Sequence, residues 1–348
     1  MTTARSAFSR RLAWAIDAVR RGQHPNGEML SFRRDPSGGY AYVRSPFLST
    51  FVHDALGCLD PTSSSWLEHG GDLLPTDVQS QIVRSVVQLR RRIRAYLIWQ
   101  QEAAGTWRFF GRGCGLDPDV NSTACASIAL LDGYGIRSVA RWELQQQVLL
   151  SFRSVEGPFF TFVKLHSGGY GWLNETGVPV VDFDRVVNAE VLRYLARVGR
   201  GATSEATALA EWLYRDVTGA DLGQGSPLYP NPVTLAYVGS RALDGSEVER
   251  RVELTAVLRD LTRSLQRPDG SFGGPLSTAM GATALLLLGE LGHELTAARL
   301  AVLRGADGSC AWPYEDFVVH GFGAPAWTTA LSVSFLVRHY CATGEAPE

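Results

Sequence analysis

A short frame, Leu-x3-Gln-x3-Gly-x-aromatic, recurs along the chain and limits its fold more than any other feature. It is complete at Leu97, Gln101, Gly105 and Trp107. It returns as Gln266, Gly270 and Phe272, and as Gln23, Gly27 and Met29. Weaker copies carry arginine in place of glutamine, at Leu149, Arg153, Gly157 and Phe159 and at Leu300, Arg304, Gly308 and Cys310. A sixth unit, between Tyr214 and Tyr229, keeps only a glycine-rich turn. The frame has a mechanical meaning. A helix ends, its last-turn Gln or Arg side chain reaches exposed backbone, glycine takes a positive φ, and the aromatic packs between units. Self-similarity of this kind marks stacked supersecondary units.

Two kinds of helix alternate around these turns. Before a turn the pattern is amphipathic: Ile82, Val86, Leu89, Ile93 and Leu97 are apolar, with arginines between them. Segments 6–22, 138–152, 203–217, 247–265 and 294–303 repeat this pattern and each should show one face to water. After a turn the segments are apolar nearly all round, most clearly at 122–133, 277–291 and 328–337, less purely at 45–57, 185–198 and 231–242. Helices of that kind are buried on both sides. No long β-alternating run competes. The expectation is an all-α fold: a single closed (α/α)6 double-ring barrel of six helical hairpins, one domain over 1–348. Segment 60–76 is read as a surface excursion and 343–348 as a flexible tail. An open solenoid is the alternative, but its concave helices would face solvent, and these are too apolar for that.

Composition narrows the function. With 45% hydrophobic and 20% charged residues the chain is globular, and a net charge of −2 gives nucleic acid or an anionic membrane nothing to bind. No run of 18 apolar residues spans a bilayer, and Met1 to Arg20 lacks the unbroken apolar core of a secretory signal. Five irregularly spaced cysteines suit a reducing cytoplasm. No CxxC or HxxxH pair offers a zinc site.

The Gln-x3-Gly-x-Trp frame resembles the QW motif of squalene-hopene cyclases, class II diterpene cyclases and the related prenyltransferase β-subunits. The resemblance covers nearly the whole chain and implies their α/α barrel. The activity motif of class II cyclases, Asp-x-Asp-Asp-Thr-Ala, falls here on Asp119-Val120-Asn121-Ser122-Thr123-Ala124. The third position, the family's proton donor, is Asn121, which has no proton to give. The Asp-x-Cys and distant His of a zinc prenyltransferase β-subunit are not found.

Several residues are candidates for the missing chemistry. Asp117 and Asp119 flank Pro118 ahead of the 122–133 helix, as a carboxylate pair or as helix caps. Asp184, with Arg185 and Asn188, opens the next inner helix and offers a second polar edge or an ordinary cap. Glu315 and Asp316 sit among aromatics, where an apolar pocket would raise a carboxyl pKa, and Glu315 or Asp316 is the first candidate for a substitute acid. Phe110, Phe160, Trp172, Tyr314 and Trp327 are candidates to line a cavity and face a carbocation, against a plain packing role. Arg112 and Arg185, with Arg108, could hold a diphosphate, in which case Mg2+ would accompany it. The implied activity is protonation-initiated cyclisation, isomerisation or (de)hydration of a small hydrophobic isoprenoid. Two alternatives stay open: a non-catalytic prenyl-binding barrel that lost its acid at Asn121, and a carbohydrate-active α/α barrel using two carboxylates about 5–10 Å apart.

Overall fold

The computed structural model of the chain describes residues 2–35, 37–60, 76–134, 139–162, 183–219, 225–307, 311–317 and 321–345, and twelve α-helices lie among them. The first six are α1 (Thr2–Arg21), α2 (Pro46–Ala55), α3 (Thr76–Gln100), α4 (Val120–Tyr134), α5 (Val139–Ser151) and α6 (Arg185–Arg197). Then come α7 (Ser204–Gly219), α8 (Pro232–Leu243), α9 (Arg251–Leu265), α10 (Pro275–Leu287), α11 (His293–Arg304) and α12 (Pro325–Thr343).

Burial separates odd from even, as the hydrophobic patterning requires. In α9 only Leu254, Leu258, Leu261 and Thr262 are buried, one stripe of an otherwise wet helix. In α10 every residue from Leu276 to Leu285 is buried, and in α12 every residue from Ala326 to Val337. Small side chains let α10 be covered all round: the Phe272 ring lies so close over Gly281 that a Cβ there would strike it. No helix among the described residues is long and apolar enough to cross a membrane.

The chain divides into two compact units. Met1–Arg44, Leu48–Tyr96 and Gln266–Glu348 form the first; Ser45–Phe47 and Leu97–Leu265 form the second. In the first unit α12 packs against α10, α1, α11 and the 3-10 turn Leu56–Leu59, and α11 backs α10. In the second unit α4, α6 and α8 pack in succession, while α7 backs α6 and α9 backs α8.

The repeated turns have a common mechanism. In the first unit Gln23 Nε2 donates to the Gly27 carbonyl at 3.2 Å and to the Leu89 carbonyl of α3 at 3.2 Å. Gln266 Nε2 does the same to Gly270, at 3.2 Å, and to Glu294 of α11, at 2.9 Å. In the second unit the Gly105 carbonyl accepts from Gln101, at 3.5 Å, and from Gln145 of α5, at 2.8 Å. The glycines have no substitute here. Gly157 has φ of +114° and a Cβ on it would lie 2.7 Å from the Ala208 carbonyl of α7; Gly270, at +85°, would run into the Ala297 carbonyl of α11. Each turn is thereby seated on the next outer helix.

A second periodicity, invisible in the frame itself, joins each turn to the inner helix after it. The backbone N–H at the frame's aromatic position donates to a polar side chain near the start of that helix. The pairs are Met29 to Ser49 at 3.1 Å, Trp107 to Thr123 at 3.1 Å, Phe159 to Asn188 at 2.7 Å and Phe272 to Thr278 at 3.2 Å. In the last copy the donor is Trp312, to Thr329 at 3.1 Å. The indole of Trp312 bonds the Val302 carbonyl at 2.8 Å, as that of Trp107 bonds Leu97 at 2.8 Å. Trp312 therefore fills the place the frame assigns to Cys310, which lies outside the described residues.

Three expectations need correction. The fold is not wholly helical: β1 (Ser31–Arg34), β2 (Tyr40–Val43) and β3 (Phe322–Gly323) form an antiparallel sheet in the order β2-β1-β3, with Phe32 opposite Tyr42 and Gly323. Its hairpin turns through Gly38, at φ of +90°, with the Asp35 N–H bonded to Gly39 O at 2.7 Å. The proposed tail begins too early, because Thr343 is the last residue of α12 and Gly344 closes the helix at φ of +72°. α10 stops at Leu287, ahead of Gly289 at φ of +82°, where the apolar pattern extended it to 291. Of the proposed excursion 60–76, residues 61–75 lie outside the described residues.

Candidate functional site

The degenerate motif opens α4 in the second unit. Two hydrogen bonds fix its entry: the Asp119 N–H donates to Trp107 O at 3.1 Å and the Val120 N–H to Thr161 O at 2.9 Å. Asp119 then caps the helix, Oδ1 accepting from the Ser122 N–H at 2.6 Å. Its other oxygen, Oδ2, is buried without a hydrogen-bond partner. Asp119 is 5% exposed. Burial raises its pKa to about 6, and the Ser122 hydrogen bonds offset only part of that rise. Asp119 thus keeps its proton to a higher pH than an ordinary aspartate, up to about pH 6. Thr123 and Ala124, which match the family motif, are fully buried, and Thr123 Oγ1 is the acceptor for Trp107. That threonine serves the fold. Asp117, half-buried two residues earlier, takes no part in this cap.

Asn121 does not face Asp119 as an acid would; its Nδ2 donates to the Tyr229 hydroxyl at 2.6 Å, and its Oδ1 meets Cys125 Sγ at 3.6 Å. Tyr229 is buried in the loop before α8. Burial raises its pKa well above the ordinary value, and Asp184, Cys125, Asp119 and Glu190 raise it further, so it stays a neutral phenol. Asp184 caps α6 through Oδ1, which accepts from Val186 at 2.8 Å and Val187 at 3.1 Å, and its Oδ2 accepts from the Leu228 N–H at 3.3 Å. Burial still pushes the Asp184 pKa up against these donors. The structure therefore gathers Asp119, Asn121, Tyr229 and Asp184 in one buried region. In the sequence Tyr229 marks only the end of the sixth unit. The signal that could have found it is its place ahead of an inner helix in the unit that lost its frame.

Other candidates in this unit are engaged elsewhere. Asn188, expected on a second polar edge, is a latch: Oδ1 accepts from the Phe159 N–H, and Nδ2 donates to Phe159 O at 3.1 Å and Asp184 O at 3.0 Å. Buried Glu190 takes Arg193 and Arg241, each at 3.4 Å. Arg185 pairs with Asp216 at 3.0 Å and Arg108 with Glu102 at 2.9 Å, while Arg112 is exposed. These three do not converge as a diphosphate clamp would. Phe110 stacks edge-on against Phe109 at 4.8 Å, and Phe160 packs against Phe183 at 4.8 Å. Trp172 lies outside the described residues.

The acidic loop belongs to the first unit, and its carboxylates are engaged in the fold. Glu315 does not sit in an apolar pocket. Its Oε2 accepts from the Leu276 and Ser277 N–H groups, at 2.6 and 3.2 Å, and the Ser277 hydroxyl bonds its Oε1. It caps α10 from a distant loop, satisfying donors that Gly274 cannot. Asp316 faces Arg34 at 3.5 Å. The Tyr314 hydroxyl donates to Gly321 O at 2.7 Å, and Trp327 is wedged at 4.6 Å from Phe51 and 4.3 Å from Phe317, wholly buried core. Among the described residues no three His, Cys, Asp or Glu side chains gather where a metal ion could sit.

No protein-family model and no curated protein matches the sequence. Solved structures do match its fold. The type II terpene cyclase MstE from Scytonema, in complex with its substrate geranylgeranyl dihydroxybenzoate, is 15% identical, with 97% of this chain and 99% of that one covered at a TM-score of 0.67. The ent-copalyl diphosphate synthase from Streptomyces platensis is 16% identical over 84% of this chain and 50% of that one, at 0.56. The cellobiose 2-epimerase from Bacillus thermoamylovorans B4167 is 11% identical over 96% and 99%, at 0.61. The chain is mostly helical and shares its fold with α/α barrel enzymes of two chemistries, type II terpene cyclases among them.

Proposed function

We propose that the chain is an isoprenoid-processing enzyme of the type II terpene cyclase kind, with its twelve helices closed as a single double ring and Asp119 as the proton donor. One observation carries the reading. At the first position of the motif, capping a helix that is buried from Val120 to Ala129, sits a carboxylic acid that keeps its proton up to about pH 6, held by one oxygen and without a hydrogen-bond partner at Oδ2. A proton donor needs that combination of protonation and a free edge. Asn121 contributes no proton; with Tyr229 it builds a neutral polar wall beside the donor. Asp184 holds the Leu228 backbone, and so the Tyr229 loop, against α6. The apolar flanks of α4 suit a hydrocarbon chain better than a sugar. No step requires a metal, and the thiols suit work in the cytoplasm.

The purified chain is to be incubated with farnesyl, geranylgeranyl and squalene-type substrates and with cellobiose, and the products identified by mass spectrometry. The expected result is a rearranged or cyclised isoprenoid that Asp119→Asn abolishes. Turnover of cellobiose alone would replace this reading with a carbohydrate one. Tight prenyl binding without product in either protein would make the barrel a carrier.

A further inference from the structure

The turns that join helix to helix are packed without slack. At Gly27, Gly157 and Gly270 they lie against the Arg92, Ala208 and Ala297 carbonyls of α3, α7 and α11, where a Cβ would collide. In the first unit this packing gives way at one place. Between α1 and the end of α11, over α12, lies a cavity of about 340 Å3. Close-packed interiors hold few voids larger than a water molecule, and this one has the size of a small-molecule site. Leu12 and Ala15 of α1 line one side, Leu303 and Trp312 the other, and Val333 and Leu336 of α12 lie beneath. All of these except Leu303 are buried, and the Trp312 indole is fixed by its bond to the Val302 carbonyl at 2.8 Å. Such walls suit a hydrocarbon.

The mouth of the cavity carries charge. Arg11 and Trp14 border the Leu12 and Ala15 stripe and are exposed, Trp14 by 56%. Among the described residues Arg11 makes neither a hydrogen bond nor an ion pair. α1 holds five arginines and a single acid, Asp17, whose carboxylate is taken by Arg20 and Arg21. Asp307, on the opposite rim, is folded back on its own turn, with Oδ1 accepting from the Ala311 N–H at 3.0 Å. Arg10 does not line the cavity, because adjacent residues of a helix point different ways. One guanidinium therefore serves the mouth. It pairs with one carboxylate through two parallel hydrogen bonds, whereas a diphosphate would keep most of its charge unmet. We propose that the cavity binds a long-chain carboxylate, a fatty acid, with its chain on Leu12, Ala15 and Leu336 and its head on Arg11. The site belongs to the first unit, whereas Asp119 belongs to the second, and the proposal does not depend on the isoprenoid reading.

The test is isothermal titration of the full chain with dodecanoate, 1-dodecanol, dodecyltrimethylammonium and farnesyl diphosphate, each below its micelle concentration. Dodecanoate should bind one to one and about tenfold or more tighter than the alcohol, since a charge-assisted pair is added, and the ammonium ion should bind more weakly than either. Arg11→Gln should bring dodecanoate down to the affinity of the alcohol and leave the alcohol unchanged. Ala15→Phe, which fills the cavity, should remove both. Arg11 is exposed, so its variant keeps the fold and decides the matter even where Ala15→Phe does not fold. Absence of saturable dodecanoate binding, equal binding by wild type and Arg11→Gln, or full binding by a folded Ala15→Phe chain would overturn the proposal. So would tighter binding of farnesyl diphosphate that Arg11→Gln weakens, which would assign the mouth to a diphosphate. A dimer in sedimentation that Trp14→Glu splits would also overturn it, by showing that a second copy covers the cavity.

Discussion

A carboxyl group buried as Asp119 is couples function to stability. Its pKa in the folded chain, about 6, lies above its ordinary value of 3.8, so the folded state holds the proton more tightly than the unfolded one. The stability this confers is complete below the unfolded pKa and is lost as pH rises through about 6. The rise amounts to ~3 kcal/mol for a fully buried group. Asp119→Asn keeps a cap for the Ser122 N–H but carries no charge. Urea melts should therefore show the variant close to wild type at pH 4 and more stable by as much as ~3 kcal/mol at pH 8, and a gap that does not change with pH would refute the assignment. Asn188 makes a contrasting case. Asn188→Ala removes three buried hydrogen bonds and should cost about 2–4 kcal/mol in a urea melt, with activity per folded molecule kept. At this scale the sequence was partly legible. Asp119 stands out because a motif surrounds it, but the fates of Asn188 and Glu315 depend on which distant N–H groups converge on them, and neighbours along the chain do not reveal that.

Among elements, the turns invite a paired test. Gly270 and Gly113 both hold positive φ, +85° and +80°. A Cβ on Gly270 would collide with the Ala297 backbone, whereas around Gly113 nothing lies within 4 Å. Gly113→Ala should lose only the conformational cost of about 1 kcal/mol, and Gly270→Ala clearly more, because rigid backbone must move. Thermal melts of the two variants measure this; equal losses would mean that the frame turns are not seated on the outer helices. The helices were readable because burial on one face or on all faces leaves a periodic trace. The β1–β2 hairpin was not, since Ser-Phe-Arg-Arg and Tyr-Ala-Tyr-Val are too short to show alternation and only the Asp-Pro-Ser-Gly-Gly turn announces them. The displacement of the last aromatic from Cys310 to Trp312 escaped for a related reason: two added residues break a fixed spacing but leave the hydrogen bonds unchanged.

For the whole molecule, a fold shared with a terpene cyclase at 15% identity and with an epimerase at 11% identity does not select a reaction. Selection falls to the buried acid on α4 and its surroundings. The most direct measurement is the rate of product formation from an isoprenoid substrate as a function of pH, for wild type and Asp119→Asn side by side. With Asp119 as the donor, the wild-type rate should be level in acid and fall about tenfold per pH unit above pH 6, and the variant should form no product at any pH. A variant that turns over at the wild-type rate, or a wild-type profile that stays level through pH 8, would contradict the account.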